Sequence, residues 1–275
     1  MRSKGDYIIF FVLLAGSVVM LLPILYMLGM SFDGKAILNI PFPPSLFPKE
    51  PSVMPYIIAF TNVPLFRYLL NSGTVSTGVI LVSGISALAA GYSLSKIKFK
   101  GSKFVFILAL STMMIPFEMT MIPQYLLFSK LRLTNSYLAF YLPAVNYAFG
   151  TFLVKQFMDS LPSSLREAAK IDGASEFIIF LKVYFPLCIN IITTLVILIF
   201  LGSWNDFLWP LIILNDPIKY TIQIGAAMFT YDQGANLMPA IRMVISLVSV
   251  APILFVFLFL QRYIMESIAS SGIKQ

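Results

Sequence analysis

Two acids fall inside the apolar runs of this chain, Glu118 and Asp206, and they are its most chemically active positions within those runs. A carboxylate at membrane depth is expensive and is kept where it meets a solute, an ion or interrupted backbone. Glu118 stands between Pro116 and Pro123, whose missing N–H groups free carbonyls that need water or neighbouring groups. It is a candidate for the solute path or its gate, and equally an interfacial carboxylate bonded to broken backbone. Asp206 lies in Trp204-Asn205-Asp206-Phe207-Leu208-Trp209-Pro210. Indole faces beside an amide and a carboxylate suit a sugar, whose C–H faces stack while its hydroxyls pair. The same residues also read as interfacial anchors and a gate, with Asn205 and Asp206 satisfying backbone broken at Pro210. Histidine is absent and Cys188 is single, which excludes a histidine metal site, a histidine proton relay and a cysteine cluster. No catalytic constellation and no metal site can be assembled. There is also no Gly-x-x-x-x-Gly-Lys-Ser/Thr loop, so the chain does not hydrolyse ATP itself.

The other chemically dense stretch is Leu161 to Pro186, the longest polar break in the second half of the chain. Ser164 and Glu167 have the spacing of a capping box, and Leu165, Ala168, Ala169 and Asp172 fall three to four residues apart on one helical face. Gly173 is expected to end this helix, and Ser175 with Glu176 to begin a second one. The spacing predicts a short helix, a sharp corner and another helix beside the bilayer.

These residues are positioned by an otherwise apolar chain. Of 275 residues 59% are hydrophobic and 11% charged, and the mean hydropathy is +0.88, which excludes an ordinary soluble domain. The +7 net charge then points to basic loops facing anionic lipid, not to nucleic acid. The fold class is an all-α integral membrane protein of about six spans, at 7–30, 68–95, 104–125, 137–158, 186–213 and 241–263. The first follows Arg2 and Lys4, is too long for a usual signal core and lacks a clear cleavage site, so it reads as an uncleaved span with the N-terminus inside. Residues 31–67 form an outer loop that Pro41, Pro43, Pro44, Pro48, Pro51 and Pro55 keep extended and stiff. Gly73, Gly78, Gly84 and Gly91 make the second span a small-residue helix suited to close packing. Lys96, Lys98, Lys100 and Lys103 follow it and set that loop inside; Lys130 and Arg132 run against this topology. Pro116 and Pro123 are expected to break the third span, and the fourth carries Pro143 and Asn146. Asn215 to about Ala240, with Asp216, Lys219, Asp232 and Asn236, is an outer loop, and Arg262 and Lys274 place the C-terminus inside.

Glu167-Ala168-Ala169, Asp172-Gly173-Ala174-Ser175 and Leu187 after Pro186 resemble the cytoplasmic coupling loop of permease subunits in bacterial binding-protein-dependent ATP-binding-cassette importers. The Ile-Asp-Gly-Ala-Ser wording is similar to the carbohydrate-uptake branch, which includes the smaller maltose permease subunit. Phe42-Pro43-Pro44-Ser45-Leu46-Phe47-Pro48, Asn71-Ser72 and Ser271-Gly272-Ile273-Lys274 are similar to the same family, while Met265-Glu266-Ser267 is less typical of it. The resemblance implies that 1–275 is a single ABC-importer transmembrane domain in a bacterial plasma or inner membrane, with 161–185 as its coupling loop between spans four and five. It further implies ATPase contact through Glu167, Ala168, Ala169, Asp172, Gly173, Ala174, Ser175 and Pro186. The implied partners are a second, different permease, two nucleotide-binding ATPase subunits that use ATP and Mg, an extracytoplasmic solute-binding protein, a carbohydrate solute and lipid. This chain itself would bind no cofactor. The alternative is a secondary carrier driven by an ion gradient, with Glu118 and Asp206 binding the ion; about six spans and no inverted repeat of broken helices count against it.

Overall fold

The computed structural model describes residues 4–38, 45–97, 99–232 and 238–272, and among these the chain is helical, with no strand. Arg2, Pro41, Phe42, Pro43, Pro44, Lys98, Asn236, Ile273 and Lys274 lie outside the described residues. Two compact units are formed, one from Met1–Leu69 with Ile222–Pro252 and the other from Leu70–Thr221 with Ile253–Gln275.

In the first unit, α1 (Lys4–Ser31) is continuous despite Pro23, and nearly all of its apolar side chains are exposed. In water such a surface would be untenable; in lipid it is the expected one. Beyond α1 the chain turns around Asp33, 1% exposed, whose carboxylate accepts from the backbone N–H groups of Lys35 (3.0 Å), Lys49 (3.0 Å) and Glu50 (3.2 Å). Burial works against this charge, and the three backbone donors outweigh it and hold the carboxyl below its ordinary value. α2 (Met54–Asn62) follows, and the expected outer segment between Asn215 and Ala240 contains a helix, α13 (Ile222–Asp232).

The second unit is built around α3 (Leu65–Lys96), α6 (Leu138–Ala144), α7 (Ala148–Asp159) and α11 (Ile189–Trp204). Gly91 allows α3 to approach α7: an added Cβ would stand 2.5 Å from Val154 Cγ1. Gly73 and Gly84, read from the sequence as packing positions, meet nothing within 4 Å. Ser83 Oγ donates to Ala144 O (2.8 Å), satisfying a carbonyl that the end of α6 leaves free. Leu88, Tyr92, Val154, Met158, Ile179, Tyr184, Cys188 and Leu195 form the core.

Among the described residues three helices are long and apolar enough to cross a membrane unaided, Gly5–Ser31, Leu65–Lys96 and Pro239–Gln261, the last within α14 (Pro239–Gly272). The other three expected spans are interrupted. α4 (Ser102–Ser111) and α5 (Phe117–Lys130) belong to segments that meet at 99°, with Ile115 extended before Pro116 as the proline ring requires. Pro123 does not break the chain as expected; it lies within α5, which runs past Tyr125 to Lys130. α6 and α7 are separated at Val145–Tyr147, and α11 is followed by a separate α12 (Leu208–Ile213). At 16 residues and 1.5 Å each, α11 is about 24 Å long, short of the ~30 Å core. Counting the two bent pairs, Ser102–Met114 with Phe117–Lys130 and Glu176–Leu187 with Ile189–Asn205, as one span each gives up to five among the described residues.

Candidate functional site: the corner at Gly173 and the cavity near Asp206

The Leu161–Pro186 stretch forms the short helix and corner that its sequence predicts. α8 (Ser164–Ile171) starts after Ser163, whose carbonyl accepts from Arg166 and Glu167 N–H. The expected capping box does not form, because Ser164 is already the first helical residue and so lies too far in to cap. At the other end Gly173 adopts φ +79°, its N–H donates to Lys170 O (3.0 Å), and Ala174 N–H reaches back to Ala169 O (3.0 Å). This pair of bonds is the Schellman arrangement, which favours glycine at the left-handed position. α9 (Glu176–Ile179) then begins with Ser175 Oγ accepting from Ile178 N–H (3.4 Å). One wide turn, Phe180–Tyr184, leads into α10 (Phe185–Leu187), which holds Pro186, and the chain bends by 80° near Cys188 to enter α11.

Glu167, Ala168, Asp172, Gly173 and Ser175 are exposed, as are Leu165 and Ile171, the latter at 86%. Ala169 and Ala174 instead turn inward against the core. The loop therefore presents a small, mixed surface while its inner face is anchored.

The anchor centres on Glu176, which the sequence reading treats only as a helix start. Its carboxylate pairs with Arg166, accepts from Lys170 Nζ (2.8 Å) and accepts from Tyr92 Oη (2.8 Å). Arg166 is the main cause that brings this carboxyl down to about 2; burial opposes it, and Lys170 and Tyr92 assist. Two further bonds join the last turn of α3 to the start of the loop. Ser95 Oγ donates to Asp159 Oδ1 (2.6 Å), and Lys96 Nζ donates to Leu161 O (2.7 Å). Burial disfavours the Asp159 charge, but Lys155 at 2.6 Å and Ser95 outweigh it and hold its carboxyl low.

A cavity of about 390 Å³ is lined by α3, α5, α6, the connection that follows α6, α11 and α12, with Ser83, Gln124, Asn146, Tyr147, Ser203 and Asp206 as its polar lining. Asp206 Oδ1 accepts from Trp209 N–H (3.4 Å), and the buried Ser203 Oγ has no hydrogen-bond partner. Of the four path residues expected from sequence, Asp206 alone lines this cavity. Glu118 is exposed in the first turn of α5, where the helix dipole favours an acid. Asn205 is exposed and bonds its own helix at Leu201 O (2.9 Å). Trp204 and Trp209, read from sequence as interfacial indoles, are each only 4% exposed. Trp204 stacks near Phe200, and Trp209 donates Nε1–H to Ala139 O (3.1 Å) between the rings of Phe117 and Phe128. The physical reason is that α11 ends at Trp204 and a separate α12 carries Trp209, and both rings meet protein groups in place of the interface.

Helical architecture and an apolar exterior define an all-helical membrane protein among the described residues. In a crystal structure of a bacterial ABC transporter involved in the import of the acidic polysaccharide alginate, one chain superposes with TM-score 0.82, covering 96% of this chain and 99% of that one at 24% identity. Among sequence relatives, the arabinooligosaccharides transport system permease protein AraQ of Halalkalibacterium halodurans is 36% identical over 220 residues, 80% of this chain and 78% of that protein. The AraQ protein of Bacillus subtilis is 31% identical over 268 residues, 97% and 94% of the two chains. The model of the binding-protein-dependent transport system inner membrane components matches residues 80–269, and the chain belongs to that family. It is a multi-pass inner-membrane transport permease and not an enzyme. The ion-driven alternative is not favoured.

Proposed function

We propose that this chain is one permease half of an ATP-driven carbohydrate importer and that residues 161–185 transmit ATPase movement to it. The observation that carries the reading is the exposed α8–Gly173 surface, small at Ala168 and held in shape from behind, in a chain of this family. Two ATPase subunits would use ATP and Mg, and each would hold one permease's coupling helix in a surface groove; this chain binds no cofactor. Glu167 would pair with a basic residue in that groove, Ala168 would let the surfaces approach, and Gly173 would keep the angle of the lever. Ala169 and Ala174 serve from the inner side, and Asp172, Ser175 and Pro186 shape the corner and its exit.

The partners in this reading are a second, different permease, two ATPase subunits and an extracytoplasmic solute-binding protein. The chain would cross the bilayer six times with both termini inside, α4–α5, α6–α7 and α11–α12 acting as interrupted spans. Broken helices at membrane depth are tolerated where they line a cavity, and the polar lining around Asp206 supports a solute path there. The names of the relatives favour oligosaccharides as the solute class. The test is ATP hydrolysis by the full importer in lipid, with and without liganded binding protein, comparing this chain with a Glu167→Lys, Gly173→Asp double variant. Loss of stimulated hydrolysis in an assembled complex is expected, and unchanged stimulation with unchanged uptake would overturn the coupling role.

A further inference from the structure

We infer that the last turns of α3 carry the loop's movement into the bilayer, and that Glu176 is the positioning residue that locks α8 and α9 together against them. The inference rests on the coupling role proposed for residues 161–185. Tyr92, Ser95 and Lys96 stand at i, i+3 and i+4, one face of α3. That face is bonded to both sides of α8: Ser95 to Asp159 and Lys96 to Leu161 before it, and Tyr92 to Glu176 after it. A push on α8 therefore reaches α3 through three side-chain bonds.

Glu176 makes the corner a single body. Arg166 and Lys170 both come from α8, so their pairing with an acid on α9 closes the angle that Gly173 opens. Without it, the Tyr92 bond would hold α9 alone. The covalent route toward α11 is a poorer rod, since it passes through the wide turn Phe180–Tyr184 and the 80° bend near Cys188. Two more features stiffen the α3 route. Tyr92 packs between Phe180 and Tyr184 at 5.2 and 5.3 Å between ring centres, and Gly91 lets α3 lie directly on Val154 of α7.

The test uses the full importer in lipid with spin labels at Leu81→Cys on α3 and Leu126→Cys on α5, both exposed positions, in a Cys188→Ala background. The distance between them is read without nucleotide and with ATP trapped by vanadate. A distance change is expected with native Glu176. In Glu176→Gln the shifted population should fall about tenfold, the scale of losing one charge-assisted hydrogen bond. Tyr92→Phe should act in the same direction, and Glu176→Asp, which keeps the charge, should restore the change. A merely structural role would lower the yield of assembled complex in the Gln and Asp variants alike and leave the distance change intact in what remains. An equal change in all variants, or no change with native Glu176 while hydrolysis is stimulated, overturns the inference. Its failure is separable from that of the coupling role, because the Glu167→Lys, Gly173→Asp double variant tests the latter through hydrolysis alone.

Discussion

Gly173 offers the cleanest perturbation of the corner proposed to couple. Its φ of +79° is the left-handed region, and a Cβ added there would meet nothing within 4 Å, so substitution acts through the backbone and not through a clash. An L-residue pays about 1–2 kcal/mol to sit there, Asn least. That is roughly a five- to thirtyfold shift away from the closed corner, the one in which Gly173 and Ala174 bond Lys170 and Ala169. Gly173→Ala should therefore lower stimulated ATP hydrolysis by about that factor wherever the corner limits coupling, and Gly173→Asn should lower it much less. The assay is hydrolysis by the full importer in lipid, normalised to assembled complex. Equal activity for glycine, alanine and asparagine would mean that the corner does not need its angle. Equal loss for alanine and asparagine would mean that the side chain matters and the backbone does not, and the reasoning from φ would fail.

Three other outcomes are expected. Gly91→Val drives side-chain atoms into Val154, whose Cβ would lie 2.7 Å from the new Cβ, and should cost about 1–3 kcal/mol in thermal unfolding; Val154→Ala should recover part of it. Trp209→Phe leaves the buried Ala139 carbonyl without its donor and should cost about 1–3 kcal/mol, read by denaturation of the purified permease, whereas an unchanged midpoint would show that the bond does not matter. Glu176 has a folded value of about 2, below its ordinary 4.5, so its contribution is complete above 4.5 and is lost as pH falls through about 2. A carboxyl titration of Glu176 with a midpoint at 4.5 in the folded protein would contradict the Arg166 pairing.

What the sequence could reveal depended on how local the determining physics is. Gly173 and Ser175 were legible because a left-handed helix stop and an N-cap follow rules within five residues. The long helix of the second span was legible from its length and composition, but composition could not say which glycines meet a neighbour: Gly91 does, and Gly73 and Gly84 do not. The break at Pro116 was legible from the ring, while Pro123 obeys the same local rule and yet sits inside an unbroken helix. Burial of Trp209 rests on Phe117, Phe128 and Ala139, seventy or more positions away, which no window of neighbouring residues encodes. The Glu176 hub was missed for the same reason, since Arg166 and Tyr92 lie ten and eighty-four positions away. Asp33 was also missed; two of its partners are backbone groups sixteen and seventeen positions along the chain.

The central claim is that the exposed surface of α8 sits in an ATPase subunit, and site-directed cross-linking tests it most directly. Single cysteines would be placed at Ala168, Ile171 and Asp172, all exposed, and at Phe104 in α4 as a control position, each in a Cys188→Ala background. With the assembled importer in lipid and a short bifunctional reagent, the three α8 positions should each yield a covalent adduct with the ATPase subunit, changing in efficiency when ATP is bound, while Phe104 yields none. An intact, hydrolysing complex in which no α8 position cross-links to the ATPase would contradict the account.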